Sequence, residues 1–299
     1  MLAELAAALE RRAADGLQRT RRIVDSAQGP RIRIGARDYL AFASNDYLGL
    51  ANERRLVDAA CEAARRFGVG AGASHLVVGH RAPHEALEEE LARFVAPCAG
   101  ARALLLSSGY LANLAILTAL AGRRDAVFAD RLNHACLTDG ALLSRARLHR
   151  YPHVDVDAVA AALARSTARR RFIVTDAVFS MDGDIAPLSE LLALAEAHDA
   201  TLVIDDAHGF GVLGEGRGAL AHFGLASPRI VYMGTLGKAA GVAGAFVAAD
   251  PRVVETLVQL ARPYVYTTAA PPILAAALLA SLRIIRDDAS RRAHLAQLI

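Results

Sequence analysis

The sequence contains few aromatic residues, few cysteines and no dominant charge. Aromatic residues make up 5% of its 299 positions, and its three cysteines are odd in number and widely spaced. They form no CxxC motif and no disulfide framework, so we expect a reducing, cytoplasmic location. The 34 basic and 31 acidic residues leave a net charge of +3. This near balance argues against a nucleic-acid or membrane-surface partner.

Long hydrophobic runs are also absent. The uncharged run 104–122 is interrupted by serine, glycine and asparagine, and the run 269–282 is short and contains two adjacent prolines. Neither is typical of a transmembrane helix, and the acidic Glu4 argues against a signal peptide. With 54% hydrophobic and 22% charged residues, the composition predicts a soluble globular protein with a sizeable core.

Lysine is almost missing, because Lys238 is the only lysine among the 34 basic residues. Compositional bias of the genome explains the excess of arginine. Arginine can replace lysine wherever only a solvated positive charge is needed, but not where an amine must lose its proton and attack a carbonyl group. A surface charge is the alternative interpretation of Lys238, and the bias towards arginine argues against it.

Short apolar segments alternate with helical ones from about residue 102 onward. Strands are predicted at 103–106, 126–128, 172–175, 202–204, 230–233 and 244–248. This alternation predicts an α/β fold with a mostly parallel central sheet and helices on both faces. Upstream, the spacing of leucines predicts an amphipathic helix from residue 1 to about 25. Ligands of such sheets bind beyond the carboxyl ends of the strands, so the residues that follow each strand are the candidate site.

Three of these strand ends carry polar or glycine-rich loops. Residues 107–113 begin with serine and glycine at a predicted helix start, which fits a phosphate site but also an ordinary helix cap. Asp205, Asp206 and His208 follow another strand, where a metal site or a structural ion network are alternatives. Lys238 follows a third, in a glycine-rich turn. Together the loops supply the amine, the ring-pairing carboxylate and the phosphate cradle that pyridoxal 5'-phosphate (PLP) requires.

These segments resemble motifs of one enzyme family, the α-oxoamine synthases. The motifs are Asn45-Asp46-Tyr47-Leu48-Gly49, Ser108-Gly109-Tyr110, Asn133-His134-Ala135, Val178-Phe179-Ser180-Met181-Asp182-Gly183-Asp184, Asp205-Asp206-Ala207-His208-Gly209 and Thr235-Leu236-Gly237-Lys238. The resemblance implies a fold-type I PLP-dependent transferase, a homodimer that condenses an amino acid with an acyl thioester and releases CO₂. It is greatest to the branch of biotin biosynthesis that joins L-alanine to a pimeloyl thioester, carried by acyl carrier protein or coenzyme A. Relatives that use glycine or serine, and an inactive PLP-binding remnant, are the alternatives.

The resemblance also implies a role for each catalytic residue. Lys238 would hold PLP as a Schiff base and, once freed, remove the α-proton of the substrate. Asp205 would pair with the pyridine nitrogen, and His208 would hydrogen-bond the ring hydroxyl. His134 and Ala207 would lie against the two ring faces.

The remaining cofactor contacts follow from the same resemblance. Ser180 would support the ring hydroxyl side, and Gly109, Tyr110 and Thr235 would surround the phosphate. No metal ligand is expected.

The chain departs from the family pattern at two places. The arginine that meets the acyl substrate is replaced by Gln18, with Arg19 and Arg22 nearby. The family also continues for about another quarter of its length, so the small C-terminal domain is expected to be largely missing from these residues. The implied organisation is an N-terminal helix and arm (1–49), a large PLP-binding α/β domain (50–255), and connecting helices that begin the shortened C-terminal domain (256–299).

Overall fold

The computed structural model describes the whole chain, Met1–Ile299, as two compact units. The first unit is Met1–Ser44 and the second is Asn45–Ile299. The three-part organisation predicted from the resemblance remains a prediction. None of the helices combines the length and the hydrophobicity that crossing a bilayer requires.

The first unit contains one helix and one hairpin. Helix α1 (Leu2–Ala14) precedes the antiparallel strands β1 (Arg31–Ile34) and β2 (Arg37–Leu40). The prediction of a helix to about residue 25 is wrong, because α1 ends at Ala14. Gly16, just beyond, has a φ of +69°, a left-handed conformation that glycine adopts at little cost and that interrupts a helix.

The second unit is built on a seven-stranded sheet. Its strands are β3 (Arg102–Leu106), β4 (Ala126–Asp130), β5 (Arg147–Tyr151), β6 (Arg171–Asp176), β7 (Ala200–Asp205), β8 (Ile230–Thr235) and β9 (Ala245–Ala249). Their spatial order is β3-β9-β8-β7-β6-β4-β5, and β9 alone runs in the direction opposite to the other six strands. The predicted mostly parallel sheet is therefore confirmed.

Eleven further helices belong to this unit. They are α2 (Arg54–Phe67), α3 (Ala82–Val95), α4 (Gly109–Leu120), α5 (Ala135–Ser144), α6 (Val156–Ala164), α7 (Leu188–Ala197), α8 (Ala219–Phe223), α9 (Pro251–Leu260), α10 (Arg262–Val265), α11 (Pro272–Asp287) and α12 (Ala289–Leu298). A π-helical turn, His75–Gly79, lies between α2 and α3. Side-chain caps begin several of them; for example, the Ser108 hydroxyl accepts the Leu111 N–H at the start of α4.

Successive residues of the central strands enter two different hydrophobic clusters. Ile204 and Tyr232 belong to one cluster, whereas Val203 and Val231 belong to the other. Because successive side chains of a strand point to opposite faces, the two clusters cover the two sides of the sheet. The apolar strand segments thus form a core that is buried from both sides, and the polar residues that follow them lie at its carboxyl edge.

Candidate active site

A cavity of about 170 Å³ opens at the carboxyl edge of the sheet. Its walls are formed by Gly109, Tyr110, His134, Cys136, Asp176, Ser180, Asp205, Ala207, His208, Met233, Thr235 and Lys238. All eight residues predicted for the site, together with Ala207, therefore line one cavity. Their individual roles remain predictions.

Asp205, the last residue of β7, carries a buried carboxylate into this cavity. Its Oδ1 accepts the backbone N–H of Ala207 at 3.0 Å, and its Oδ2 accepts Nδ2 of Asn113 at 2.6 Å. Burial raises the pKa of this carboxyl group, although both hydrogen bonds oppose the rise. A carboxylate held in this way is stabilised by a cationic or N–H partner on the cavity side.

The adjacent Asp206 points elsewhere. Its Oδ2 accepts the hydroxyl of Tyr232 at 2.8 Å and the Ala219 N–H at the start of α8 at 2.7 Å. Burial raises its pKa to about 7. Since Asp205 and Asp206 diverge, they do not form one metal site, and Asp206 belongs to the structural network that was one of the alternatives.

His134 lies at the start of α5, next to the buried carboxyl group of Asp176 and the buried thiol of Cys136. Its backbone N–H donates to Oδ2 of Asp176 at 2.9 Å, and its Nδ1 lies 2.8 Å from the Cys136 sulfur. Burial raises the pKa of Asp176 to about 8, and the nearby Asp205 carboxylate adds to this effect. Burial likewise raises the pKa of Cys136 to about 12, so the thiol stays protonated at neutral pH.

The single lysine reaches the cavity from the turn between β8 and β9. Its Nζ lies 2.6 Å from Nε2 of His208, and Nδ1 of the same ring lies 2.6 Å from the hydroxyl of Tyr47. Burial lowers the pKa of Lys238. Burial and then the charge of Lys238 lower the pKa of His208 to about 4, so this imidazole is neutral at pH 7. A lysine with a lowered pKa is the form of amine that attacks a carbonyl group.

The start of α4 provides the region predicted for the phosphate. Gly109 and Tyr110 are the first residues of α4, so their N–H groups have no acceptor within the helix. A side chain at Gly109 would point towards Met233 and the Thr235 hydroxyl, at 3.6–3.9 Å. Ser108 caps this helix, which agrees with the alternative of an ordinary helix cap. The cap uses the Leu111 N–H and leaves the N–H groups of Gly109 and Tyr110 available to an anion.

Ser180 lies at the cavity mouth, in an exposed loop that ends at Asp184. His153 holds this loop, because its Nε2 contacts Asp184 Oδ2 at 2.7 Å and its Nδ1 contacts Asp130 Oδ1 at 3.0 Å. Its ring also packs edge-on against Phe179, at 4.4 Å between ring centres. Partial burial lowers the pKa of His153, but the hydrogen bonds to the two carboxylates outweigh it and raise the pKa above its ordinary value.

The donor set of the cavity fits PLP. A buried carboxylate at its floor needs a positively charged partner, one amine with a lowered pKa faces it, and a helix start offers N–H donors to a phosphate. Gln18, at the position where the resemblance places an acyl-binding arginine, and the nearby Arg19 and Arg22 belong to the first unit and are exposed.

Five residues of the site were not predicted from the sequence, namely Met233 and the polar residues Tyr47, Asn113, Cys136 and Asp176. Asp176 had a usable signal, because it directly follows a predicted strand. Tyr47 lay in a quoted motif without a role. Asn113 and Cys136 lie inside helices, where residue type alone gives no signal.

Comparison with known proteins relates the chain to characterised families. The family model for class I and II aminotransferases matches residues 37–299. An 8-amino-7-oxononanoate synthase of Nitrosospira multiformis is 61% identical over 94% of this chain and 71% of that protein. The enzyme of the same name from Nitrosomonas europaea is 59% identical over 100% of this chain and 78% of that protein.

Two solved structures share the fold of this chain. A serine palmitoyltransferase of Sphingomonas wittichii superimposes with a TM-score of 0.90 at 31% identity, covering 98% of this chain and 74% of that one. An 8-amino-7-oxononanoate synthase of Francisella tularensis superimposes with a TM-score of 0.74 at 34% identity, covering 86% of this chain and 72% of that one.

Proposed function

Because the chain belongs to the class I and II aminotransferase family, and within it to the 8-amino-7-oxononanoate synthases, we propose that it condenses L-alanine with a pimeloyl thioester. The products are 8-amino-7-oxononanoate, CO₂ and the free thiol of the carrier, in biotin biosynthesis. The predicted resemblance and the predicted fold-type I PLP transferase fold are confirmed by this membership. The observation that carries the proposal is that the amine of Lys238 and the carboxylate of Asp205 face the same cavity.

The residues at the cavity are suited to hold PLP. Asp205 would pair with the pyridine nitrogen, and His134 and Ala207 would lie against the two faces of the ring. When bound, PLP supplies an aldehyde that condenses with an amine and a protonated ring that withdraws electrons from the α-carbon. The buried Asp205 would keep that ring protonated, since a carboxylate beside a cation stabilises the pair in a low-dielectric site.

The remaining contacts complete the proposed cofactor site. Gly109, Tyr110 and Thr235 would surround the phosphate, where the start of α4 provides N–H donors. Ser180 and His208 would contact the ring hydroxyl. The Tyr110 hydroxyl donates a hydrogen bond of 2.6 Å to Asp139, which supports a fixed position for this residue.

Proton transfer is the task proposed for Lys238. Its Nζ is the only lysine amine of the chain, and burial lowers its pKa, which favours the neutral form that can accept the α-proton. The neutral His208, 2.6 Å away, offers no competing charge. Removing the α-proton of alanine is the step for which an amine with a lowered pKa is best suited.

The partners are proposed first from the family. We propose a homodimer, which is supported by exposed apolar side chains such as Val77 and Leu142, 72% and 61% accessible in the single chain. The pimeloyl group is proposed to arrive on acyl carrier protein or coenzyme A. A cytoplasmic location is proposed because all three cysteines are free thiols.

A product assay tests the proposed reaction. The chain is loaded with PLP and given pimeloyl-coenzyme A together with L-alanine, glycine or L-serine, and the amino-oxo acid is measured by mass spectrometry. We expect product from L-alanine, at a rate well above that from the other two amino acids, and none from the Lys238→Ala variant.

Two outcomes would contradict this proposal. A higher rate with glycine or serine would assign the chain to the relatives that use those amino acids. No product from any of the three, with PLP attached to Lys238, would favour the inactive PLP-binding remnant.

A further inference from the structure

Tyr47 belongs to the motif Asn45-Asp46-Tyr47-Leu48-Gly49, for which the proposed function provides no role. Its hydroxyl lies 2.6 Å from Nδ1 of His208, whose Nε2 lies 2.6 Å from Nζ of Lys238. We propose that Tyr47 is a positioning residue that fixes the tautomer of His208 and, through it, the hydrogen bond made by the Lys238 amine. The consequence for PLP attachment rests on the proposed function, whereas the tautomer does not.

The direction of these hydrogen bonds follows from Oδ1 of Asn45, the one atom in the hydrogen-bonded series that can only accept. The hydroxyl of Tyr47 also lies 3.2 Å from Oδ1 of Asn45, a carbonyl oxygen. When the hydroxyl proton is donated to Asn45, the phenol oxygen accepts from Nδ1–H of His208. Because this imidazole is neutral, Nε2 then has a lone pair, which accepts an N–H of Lys238. The structure therefore assigns the Nδ1–H tautomer to His208.

The turn around Tyr47 holds the hydroxyl in place. The Asp46 carboxylate accepts the N–H groups of Leu50 and Ala51, at 2.8 and 3.2 Å. Gly241, three residues after the lysine, packs so closely that a Cβ there would lie 2.6 Å from the backbone of Leu50 and Ala51. The turn that carries Tyr47 and the turn that carries the lysine are thus packed backbone to backbone, which limits their relative movement.

Loss of the hydroxyl has a defined consequence for Lys238. In a Tyr47→Phe variant, Nδ1–H of His208 would be partly buried without an acceptor, so the tautomer with Nε2–H becomes favoured. An N–H that points at Nζ stabilises the neutral amine and disfavours the ammonium. The pKa of Lys238 should therefore fall, and PLP should attach to it at lower pH than in the unsubstituted chain.

The tautomer can be read directly by nitrogen NMR of the chain without cofactor. Histidine-specific ¹⁵N labelling gives two ring-nitrogen shifts per residue, and a His208→Gln variant assigns the signals of His208 among the ten histidines. We expect Nδ1–H in the unsubstituted chain and Nε2–H, or a mixture, in Tyr47→Phe. Tyr39→Phe, which changes an exposed tyrosine of the first unit, is the matched control and should leave His208 unchanged.

An Nε2–H signal in the unsubstituted chain would overturn the proposal, as would identical His208 shifts with and without the Tyr47 hydroxyl. The first of these results needs no variant, so the proposal stays testable if Tyr47→Phe does not fold.

The second measurement is the pH dependence of PLP attachment. PLP is added at each pH, the attached fraction is fixed by borohydride, and the label on Lys238 is counted by peptide mapping. We expect the midpoint of attachment to fall by about one pH unit in Tyr47→Phe and not to change in Tyr39→Phe. An unchanged midpoint in Tyr47→Phe would contradict the proposal. No label on Lys238 of the unsubstituted chain would instead refute the proposed function, and the tautomer result would still stand.

Discussion

Asp205 and Asp206 are adjacent in sequence but should respond very differently to the same substitution. Asp205 faces the cavity, whereas Asp206 faces Tyr232 and the start of α8. Asp205→Asn is expected to weaken PLP binding without destabilising the cofactor-free chain. Asp206→Asn is expected to destabilise the cofactor-free chain and to leave PLP binding nearly unchanged.

The size of the first effect follows from the charge that is removed. A hydrogen bond to a charged group contributes about 1.5–3 kcal/mol, so PLP affinity should fall about 10- to 150-fold in Asp205→Asn. The cofactor-free chain should tolerate this change, because burial already disfavours the ionised form of Asp205. The neighbouring Asn113 can also rotate its amide group, since its Oδ1 has no hydrogen-bond partner.

The second effect is a loss of stability. In Asp206→Asn the amide oxygen can still accept from Tyr232 and Ala219, but the new NH₂ group replaces an oxygen that faces the backbone N–H of Gly209, so that two donors meet there. An unsatisfied buried polar group costs about 1–3 kcal/mol. The melting temperature should therefore fall by a few degrees, while PLP affinity stays within about twofold.

Both effects are measured on the same preparations. PLP affinity is read by spectroscopic titration, and melting is followed by circular dichroism without cofactor. An equal loss of PLP affinity in the two variants would mean that the wrong carboxylate has been assigned to the pyridine nitrogen. A large drop in the melting temperature of Asp205→Asn would mean that its carboxylate is structural.

Three further expectations concern stability. Burial raises the pKa of Glu88 to about 8, so its stabilising contribution is present below its unfolded pKa and lost as pH rises through 8. The glutamine in Glu88→Gln can still accept the Leu105 N–H but does not ionise. This variant should therefore melt at the same temperature as the unsubstituted chain at pH 5 and at a higher temperature at pH 8.5. Gly241→Ala should unfold the chain or lower its stability by about 2 kcal/mol or more, because φ is +73° and a Cβ would meet backbone atoms. Gly70→Ala is the control and should be neutral, because a Cβ there meets no atom within 4 Å. Chemical denaturation measures the stability of both variants. The raised pKa of His153 stabilises the folded state below its unfolded pKa and less as pH rises, so His153→Asn should lower the melting temperature more at pH 6 than at pH 9.

Much of the fold could be predicted because its signals are local. The central strands are short apolar runs, and both of their faces are buried, so composition alone indicates them. β5 (Arg147–Tyr151) was missed because it is an edge strand with mostly exposed, polar side chains. Helix α1 was predicted too long because the leucine spacing continues past Gly16, whose positive φ is a property of the folded backbone.

The candidate site likewise contains residues that local sequence signals predict and residues that they do not. Lys238 and Asp205 could be predicted because they lie at or shortly after the ends of apolar strands, whose carboxyl ends meet at one edge of the sheet. Asn113 and Cys136 could not, because they reach Asp205 only through the packing of α4 and α5 against the sheet. The contact between Tyr47 and His208 joins residues 161 positions apart, and no local pattern predicts it.

The central claim is that Lys238 is the residue that holds PLP, and one measurement tests it most directly. The chain is incubated with PLP, reduced with borohydride, digested, and searched by mass spectrometry for a pyridoxyl group. Because the chain has a single lysine, the N-terminal amine is the only other primary amine that competes for the aldehyde. We predict a stoichiometric pyridoxyl group on the peptide that contains Lys238, and its loss in Lys238→Arg. A label on the N-terminal amine alone, or no label at all, would contradict the account.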